Sequence, residues 1–172
     1  FEQKTGYQLD IVANGTGAAI KLGETGDADV LLVHAKASEE AFVSAGHGLS
    51  RVPFMHNYFI IAGPDKDPAS IKDTRSAAEA FKQIAQATAP FVSRGDDSGT
   101  HKAERTIWSK TGIEPNGDWY NSVGKGMGPC LLMASELSAY VFTDKATYLA
   151  TKENTKLEIV LDQTDDMKNT YS

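Results

Sequence analysis

The chain has 172 residues, of which 41% are hydrophobic and 23% are charged, as is usual for a soluble globular protein of one domain or two small ones. Its net charge of −6 makes nucleic acid and anionic membranes poor partners, although a local cluster of donors can still bind an anion. No run approaches the roughly 18 apolar residues of a membrane-spanning helix, so we expect a protein that does not span a membrane.

The first residues, Phe1 to Tyr7, are typical of the last turn of a helix that Gly6 ends. A chain rarely starts in such a turn, so we expect a segment to precede it. Apolar runs, caps and glycines then predict strands that alternate with helices, which favours a parallel α/β sheet. The predicted strands are 8–13, 29–34, 54–63, 90–93, 139–143 and 157–161. The predicted helices are 18–24, 38–45, 71–87, 101–110, 129–137 and 144–151, and 162–172 is predicted as a loop.

The stretch from Pro90 to Gly112 predicts a strand, a tight turn and a helix. The free N–H groups and positive dipole end of that helix start would lie beside Arg94, Ser98 and Thr100. A guanidinium and two hydroxyls at a helix N-terminus form a binding site for an anion. The alternative at this stage is a solvated turn in which Arg94 pairs with Asp96 or Asp97 and Ser98 only caps the helix.

Two further glycine turns precede predicted helices. Asn14-Gly15-Thr16-Gly17 follows a predicted strand and offers the Thr16 hydroxyl, either to an anion or to a plain strand–helix turn. Gly124 to Gly128 has neither the P-loop spacing nor a dinucleotide fingerprint, so its glycines indicate a close backbone approach. Cys130 stands alone among apolar neighbours and is predicted to be a buried structural thiol. The four histidines lack ligand spacing, so the sequence predicts no metal site.

Several blocks together resemble a known family. SRGDDSGTH from Ser93, GDADVLLVHA from Gly26, GDWY from Gly117 and GKGMG from Gly124 occur in the order found in the extracytoplasmic tungstate-binding proteins of ABC importers. The resemblance covers nearly the whole chain. It implies a two-lobed periplasmic-binding-protein type II α/β fold, apparently truncated at both ends, because members of the family have a strand and a hydroxyl-rich loop before Phe1 and continue after Ser172.

The resemblance also implies a division of the chain and a site. Lobe 1 would comprise residues 1–60 plus 155–172, and lobe 2 residues 61–154. The ligand would be tungstate or molybdate, with no cofactor, and the partner would be the membrane permease of a cognate importer in a periplasmic or extracytoplasmic location. The implied ligand-binding residues are Thr16, Ser93, Arg94, Ser98, Gly99, Thr100, Gly126 and Met127.

Two alternatives remain at this stage. A phosphate-binding protein of the same fold carries a similar loop, so the anion is open. An enzyme would need Ser93 or Ser98 as nucleophile, His101 as base and Asp96 or Asp97 to orient it. No GxSxG elbow surrounds either serine, and His101 lies within one turn of Ser98 on the outgoing helix, so a non-enzymatic binding protein is the favoured hypothesis.

Overall fold

The computed structural model describes all 172 residues. Its helices are α1 (Glu2–Thr5), α2 (Thr16–Thr25), α3 (Lys36–Ser44), α4 (Ala77–Gln86), α5 (Gly99–Thr111), α6 (Met127–Leu137) and α7 (Lys145–Thr151). Its strands are β1 (Met55–Pro64), β2 (Phe91–Ser93), β3 (Tyr120–Ser122), β4 (Tyr140–Asp144), β5 (Leu157–Asp162) and β6 (Lys168–Tyr171), and short 3₁₀ turns occur at Lys152–Asn154 and Asp165–Met167. None of the helices combines the length and the apolar character needed to cross a bilayer.

The strands form a mixed sheet in the order β3-β2-β4-β1-β5. The pairs β2–β3 and β2–β4 are parallel, whereas β1 runs antiparallel to β4, β5 and β6. The prediction of a wholly parallel sheet is therefore wrong at β1. This strand belongs to three ladders, because residues 55–58 pair with β6, residues 59–62 with β4 and residues 60–64 with β5.

Helices cover both faces of this sheet. On one face α4 and α5 pack aromatic side chains against it, and Phe81 and Trp108 have ring centroids 4.4 Å apart. On the other face α6 and α7 bury Cys130, Leu131 and Tyr148 against the alternate residues of the same strands. This alternation is the period of two that a strand imposes on its side chains, and it produces a three-layer α/β arrangement.

The first 54 residues contain α1 to α3 but no strand of a sheet ladder. The predicted strands 8–13 and 29–34 are therefore wrong, since neither segment pairs with a neighbouring strand. The single exception is Val33, whose N–H and C=O each hydrogen-bond to Ser172 at 2.9 Å. Apolar side chains of these segments, among them Ile11 and Val30, are consequently exposed.

Three other predictions are corrected in detail. Residues 162–172 do not form only a loop, because β6 pairs with the first half of β1. The predicted helix 71–87 begins only at Ala77, where Ser76 caps it and the Asp166 carboxylate accepts from the Ala77 and Ala78 N–H groups at 3.0 Å. Helix α3 begins at Lys36 rather than at a Ser38 cap. The predicted buried state of Cys130 is confirmed.

Candidate functional site

The turn between β2 and α5 has the geometry that its sequence predicts. Ser98 is the N-cap of α5, and its hydroxyl accepts from the His101 N–H at 3.3 Å. The next two N–H groups, those of Gly99 and Thr100, make no hydrogen bond within the chain. They are free donors at the positive end of a 13-residue helix, which is where a helix binds anions.

Arg94 is held beside these donors by Asp96. Its Nε donates to Asp96 Oδ2 at 3.1 Å and one of its terminal nitrogens donates to the same oxygen. The other carboxylate oxygen, Oδ1, accepts from the Ser98 N–H at 3.2 Å. Although partial burial opposes it, these hydrogen bonds from Ser98 and Arg94 hold the pKa of Asp96 below its ordinary value. Asp96 therefore ties the guanidinium to the helix start and leaves the second terminal nitrogen of Arg94 free to donate.

The glycine-rich turn before α6 lies next to the Arg94 loop. Val123 N–H donates to the Ser93 carbonyl at 3.0 Å, and Gly124 N–H donates to the Arg94 carbonyl at 2.7 Å. Gly126 then caps α6 without a side-chain hydrogen bond, and the Met127 N–H has no partner within the chain. The predicted residues Gly126 and Met127 thus start a second helix N-terminus that is tethered to the first.

Thr16 begins a third such terminus. Gly15 caps α2 without a side-chain hydrogen bond, so the first N–H groups of α2 are free up to Ala19, which donates to the Gly15 carbonyl at 3.0 Å. The side chain of Lys102, on α5, reaches this point, since a Cβ added to Gly17 would lie 3.4 Å from Lys102 Nζ. The start of α2 therefore lies within reach of a lysine side chain of α5.

Two predicted site residues, Thr16 and Thr100, are buried residues whose hydroxyls make no hydrogen bond within the chain, whereas the hydroxyl of a third, Ser93, faces Glu104 and Tyr120. Thr16 is 4% exposed, Thr100 is 6% exposed and Ser93 is fully buried. The Ser93 Oγ is wholly inaccessible and belongs to the group formed with Glu104 and Tyr120, so it is not available to a ligand in this structure. The Thr16 and Thr100 hydroxyls remain accessible and lie beside free helix N–H groups, where they are available to a polar ligand.

The hydrogen bonds of a Ser–His–Asp relay are absent. His101 Nδ1 accepts from the Asp97 backbone N–H at 3.0 Å, and Ser98 Oγ accepts from the His101 backbone N–H, so the two side chains do not pair. Burial, with the neighbouring Arg105 and Arg94 cations, lowers the pKa of His101 against the opposing effect of Asp96 and Asp97. Asp96 meanwhile accepts from Arg94 and the Ser98 N–H, and the Asp97 carboxylate pairs with Lys102 at 3.5 Å, so neither carboxylate accepts a hydrogen bond from the imidazole.

Sequence reasoning missed a buried carboxyl group beneath this site. Glu104 is 1% exposed, and its Oε1 accepts from the Tyr120 hydroxyl at 2.8 Å and from Trp108 Nε1 at 3.2 Å. Burial raises the pKa of Glu104 to about 7, although these donors partly oppose the shift. Burial and the adjacent Glu104 also raise the pKa of Tyr120. The signal was present, because Glu104 lies next to the apolar face that Ala103, Ile107 and Trp108 define.

The comparisons with known proteins agree with this architecture. A family model described as a PBP superfamily domain matches residues 1–172. The chain belongs to this family of periplasmic-binding-protein-like domains, and it has the α/β architecture of their two-lobed members, as the sequence predicted.

Individual relatives specify which members of this family the chain resembles. The chain is 46% identical to the tungstate-binding protein TupA of Peptoclostridium acidaminophilum, over 99% of this chain and 60% of that protein. It is 46% identical to a solved structure, the tungstate ABC transporter from Geobacter sulfurreducens, with a TM-score of 0.85 over 99% of this chain and 72% of the other. For the tungstate-binding protein TupA from Desulfovibrio alaskensis G20, the identity is 41% and the TM-score 0.87, over 99% and 70% of the two chains. The chain spans 46% to 65% of the length of the curated relatives it matches.

Proposed function

We propose that the protein is the solute-binding component of an ABC importer and captures tungstate or molybdate in the cleft between its two lobes. The observation that carries this proposal is the pair of tethered helix starts, α5 and α6, whose free N–H groups lie beside the Arg94 loop. In the proposed closed cleft the start of α2, with the Thr16 hydroxyl, would face the Thr100 hydroxyl and these donors. Relatives named as tungstate-binding proteins support the choice of anion.

Capture would work by a shift between open and closed states. Lobe 1, residues 1–60 plus 155–172, offers Thr16, and lobe 2, residues 61–154, offers Arg94, Ser93, Ser98, Gly99 and Thr100 together with Gly126 and Met127. An anion that contacts both lobes binds the closed state more tightly, and so it stabilises that state. The closed form would then deliver its anion to the membrane permease of the importer, outside the cytoplasm.

The environment of Asp96 favours a fully deprotonated anion over phosphate. A phosphate carries a proton near neutral pH, and a carboxylate in its site can accept that proton in a hydrogen bond. Both oxygens of Asp96 are instead occupied by Arg94 and the Ser98 N–H. A crystal structure with the bound anion should therefore show no Asp96 oxygen within hydrogen-bond reach of it, and the opposite result would favour a phosphate-binding protein.

The proposal is tested by calorimetric titration of the full-length protein with tungstate, molybdate, sulfate and phosphate at one ionic strength. We expect tungstate or molybdate to bind far more tightly than sulfate. Absence of heat with all four anions, or turnover of an ester substrate, would refute the proposal in favour of another function.

Arg94 is the charged anchor of the proposed site. Charge-assisted hydrogen bonds contribute about 1.5–3 kcal/mol each, so Arg94→Ala should weaken tungstate affinity about tenfold to a thousandfold. Arg94→Lys should restore only part of this loss, because lysine lacks the planar fork. The matched control is Arg75→Ala, which removes an exposed arginine on another loop and should leave the affinity unchanged. Wild-type affinity in Arg94→Ala would move the site elsewhere.

A further inference from the structure

The ring of His34 is held on one side by strand β6. Its Nδ1 lies 2.9 Å from Asn169 Oδ1, and the ring stacks on Tyr171 with centroids 4.9 Å apart. Asn169 Nδ2 in turn donates to Asn57 Oδ1 at 2.8 Å, which makes Asn169 Oδ1 the acceptor and puts the shared hydrogen on His34 Nδ1. Asn57 and Asn169 are directly opposite each other in the β1–β6 ladder, so His34 is fixed to both strands.

The other edge of the same ring lies against the first residue of α5. A Cβ added to Gly99 would lie 2.3 Å from His34 Cε1 and 2.6 Å from Nε2, distances that no real Cβ tolerates. The backbone of Gly99 does not itself demand glycine, because its φ is not positive and the first helical position accepts alanine. The requirement for glycine at this position therefore comes from the histidine ring.

This contact joins the β1–β6 ladder to two donors of the anion site, the free N–H groups of Gly99 and Thr100. We propose, on the basis of the function proposed above, that His34 is a positioning residue: when the two lobes meet, it fixes the first turn of α5 on lobe 2 against the β1–β6 ladder of lobe 1, without touching the anion. The usual explanation for glycine in such a loop is close approach of the ligand to the backbone. If the His34 ring explains the glycine, an added methyl group at position 99 would meet that ring. If close approach of the ligand explains it, the methyl group would meet the anion.

A double-mutant cycle separates them. Gly99→Ala, His34→Ala and the double variant are titrated with tungstate in the full-length protein, and their unfolding in urea is followed in parallel. We expect Gly99→Ala to weaken affinity at least tenfold and His34→Ala to weaken it about threefold to tenfold. Once the ring is gone the added methyl should cost nothing, so the double variant should bind within about threefold of His34→Ala.

Three outcomes would overturn the inference. The first is an additive result, in which the loss of affinity of the double variant equals the product of the two single fold-losses; the methyl group then meets the anion. The second and third are wild-type affinity in Gly99→Ala and wild-type affinity in His34→Ala; either would remove the positioning role, even if the variant unfolds more easily.

His56→Ala, which removes an exposed histidine that does not contact Gly99, serves as the control and should bind like the wild type. A wild-type protein that binds no oxyanion refutes the proposed function as well, whereas normal wild-type binding with additive losses refutes only the role of His34.

Discussion

Replacing Glu104 by glutamine should make the protein more stable at neutral pH. The Glu104 carboxyl is 1% exposed, and its pKa rises from 4.5 to about 7 on folding. Between these two values the folded state keeps a proton that the unfolded state releases, so the free energy of unfolding falls as the pH rises. A difference of about 2.5 pKa units corresponds to about 3 kcal/mol, which is lost progressively between pH 4.5 and pH 7.

Glutamine keeps the neutral form of the side chain. Its Oε1 can accept from the Tyr120 hydroxyl and Trp108 Nε1 as the glutamate oxygen does. Tyr120 and Cys130, two titratable neighbours of Glu104, have raised pKa values and stay protonated across this range. The difference between the two proteins therefore reports Glu104 alone.

The assay is urea unfolding of wild type and Glu104→Gln at steps from pH 4 to pH 8. We expect the two free energies of unfolding to be similar near pH 4 and the glutamine variant to be more stable by about 3 kcal/mol near pH 8. The control, Glu114→Gln, changes an exposed glutamate and should follow the wild-type profile. Parallel profiles for wild type and Glu104→Gln would refute the reasoning, because they would mean that Glu104 is ionised in the folded state with an ordinary pKa.

Two further substitutions test packing and capping. Gly63→Ala should cost about 1–3 kcal/mol of stability in thermal unfolding, because its Cβ would lie 2.5 Å from the buried Tyr140 ring; an unchanged melting temperature would contradict this packing. Ser98→Ala should cost about 0.5–2 kcal/mol by removing the cap of α5, and it should also weaken tungstate binding. Ser76→Ala, the same change at the cap of α4, should lower stability alone, and equal effects of the two variants on affinity would place Ser98 outside the site.

Local sequence signals predicted the elements that local interactions define. The cap at Ser98, the stop at Gly112 and the apolar stripe of α5 all lie within a few residues of each other, and the helix forms there. Segments 8–13 and 29–34 have equally strong apolar runs, but a strand also needs a partner strand, and the local sequence does not show whether one is present. Conversely β6 has a weak pattern and forms because the first half of β1 pairs with it.

The same distinction between local and long-range interactions applies to the residues of the candidate site. Arg94, Ser98 and Thr100 were predictable because helix N-termini and arginine forks bind anions wherever they occur. His34 was not predictable, since its contact with Gly99 joins residues 65 positions apart and depends on the chain's path past β6. Glu104 was missed for a related reason: its place beside the apolar face of α5 was visible in the sequence, but the packing of Tyr120 over it is what encloses its carboxyl.

This chain is expected to be unreactive toward thiol reagents, because its single cysteine is buried. Cys130 is fully buried on the side of α6 that faces the sheet, and burial raises the pKa of its thiol to about 11, so very little thiolate exists at pH 7 and reagents cannot reach it. A cysteine introduced at an exposed position, such as Lys36→Cys on α3 or Asp73→Cys before α4, would then be the one that reacts. One introduced cysteine can thus carry a fluorescent dye at a chosen point of this chain while Cys130 is left in place, and the emission of that dye can test the proposed opening and closing of the cleft in solution.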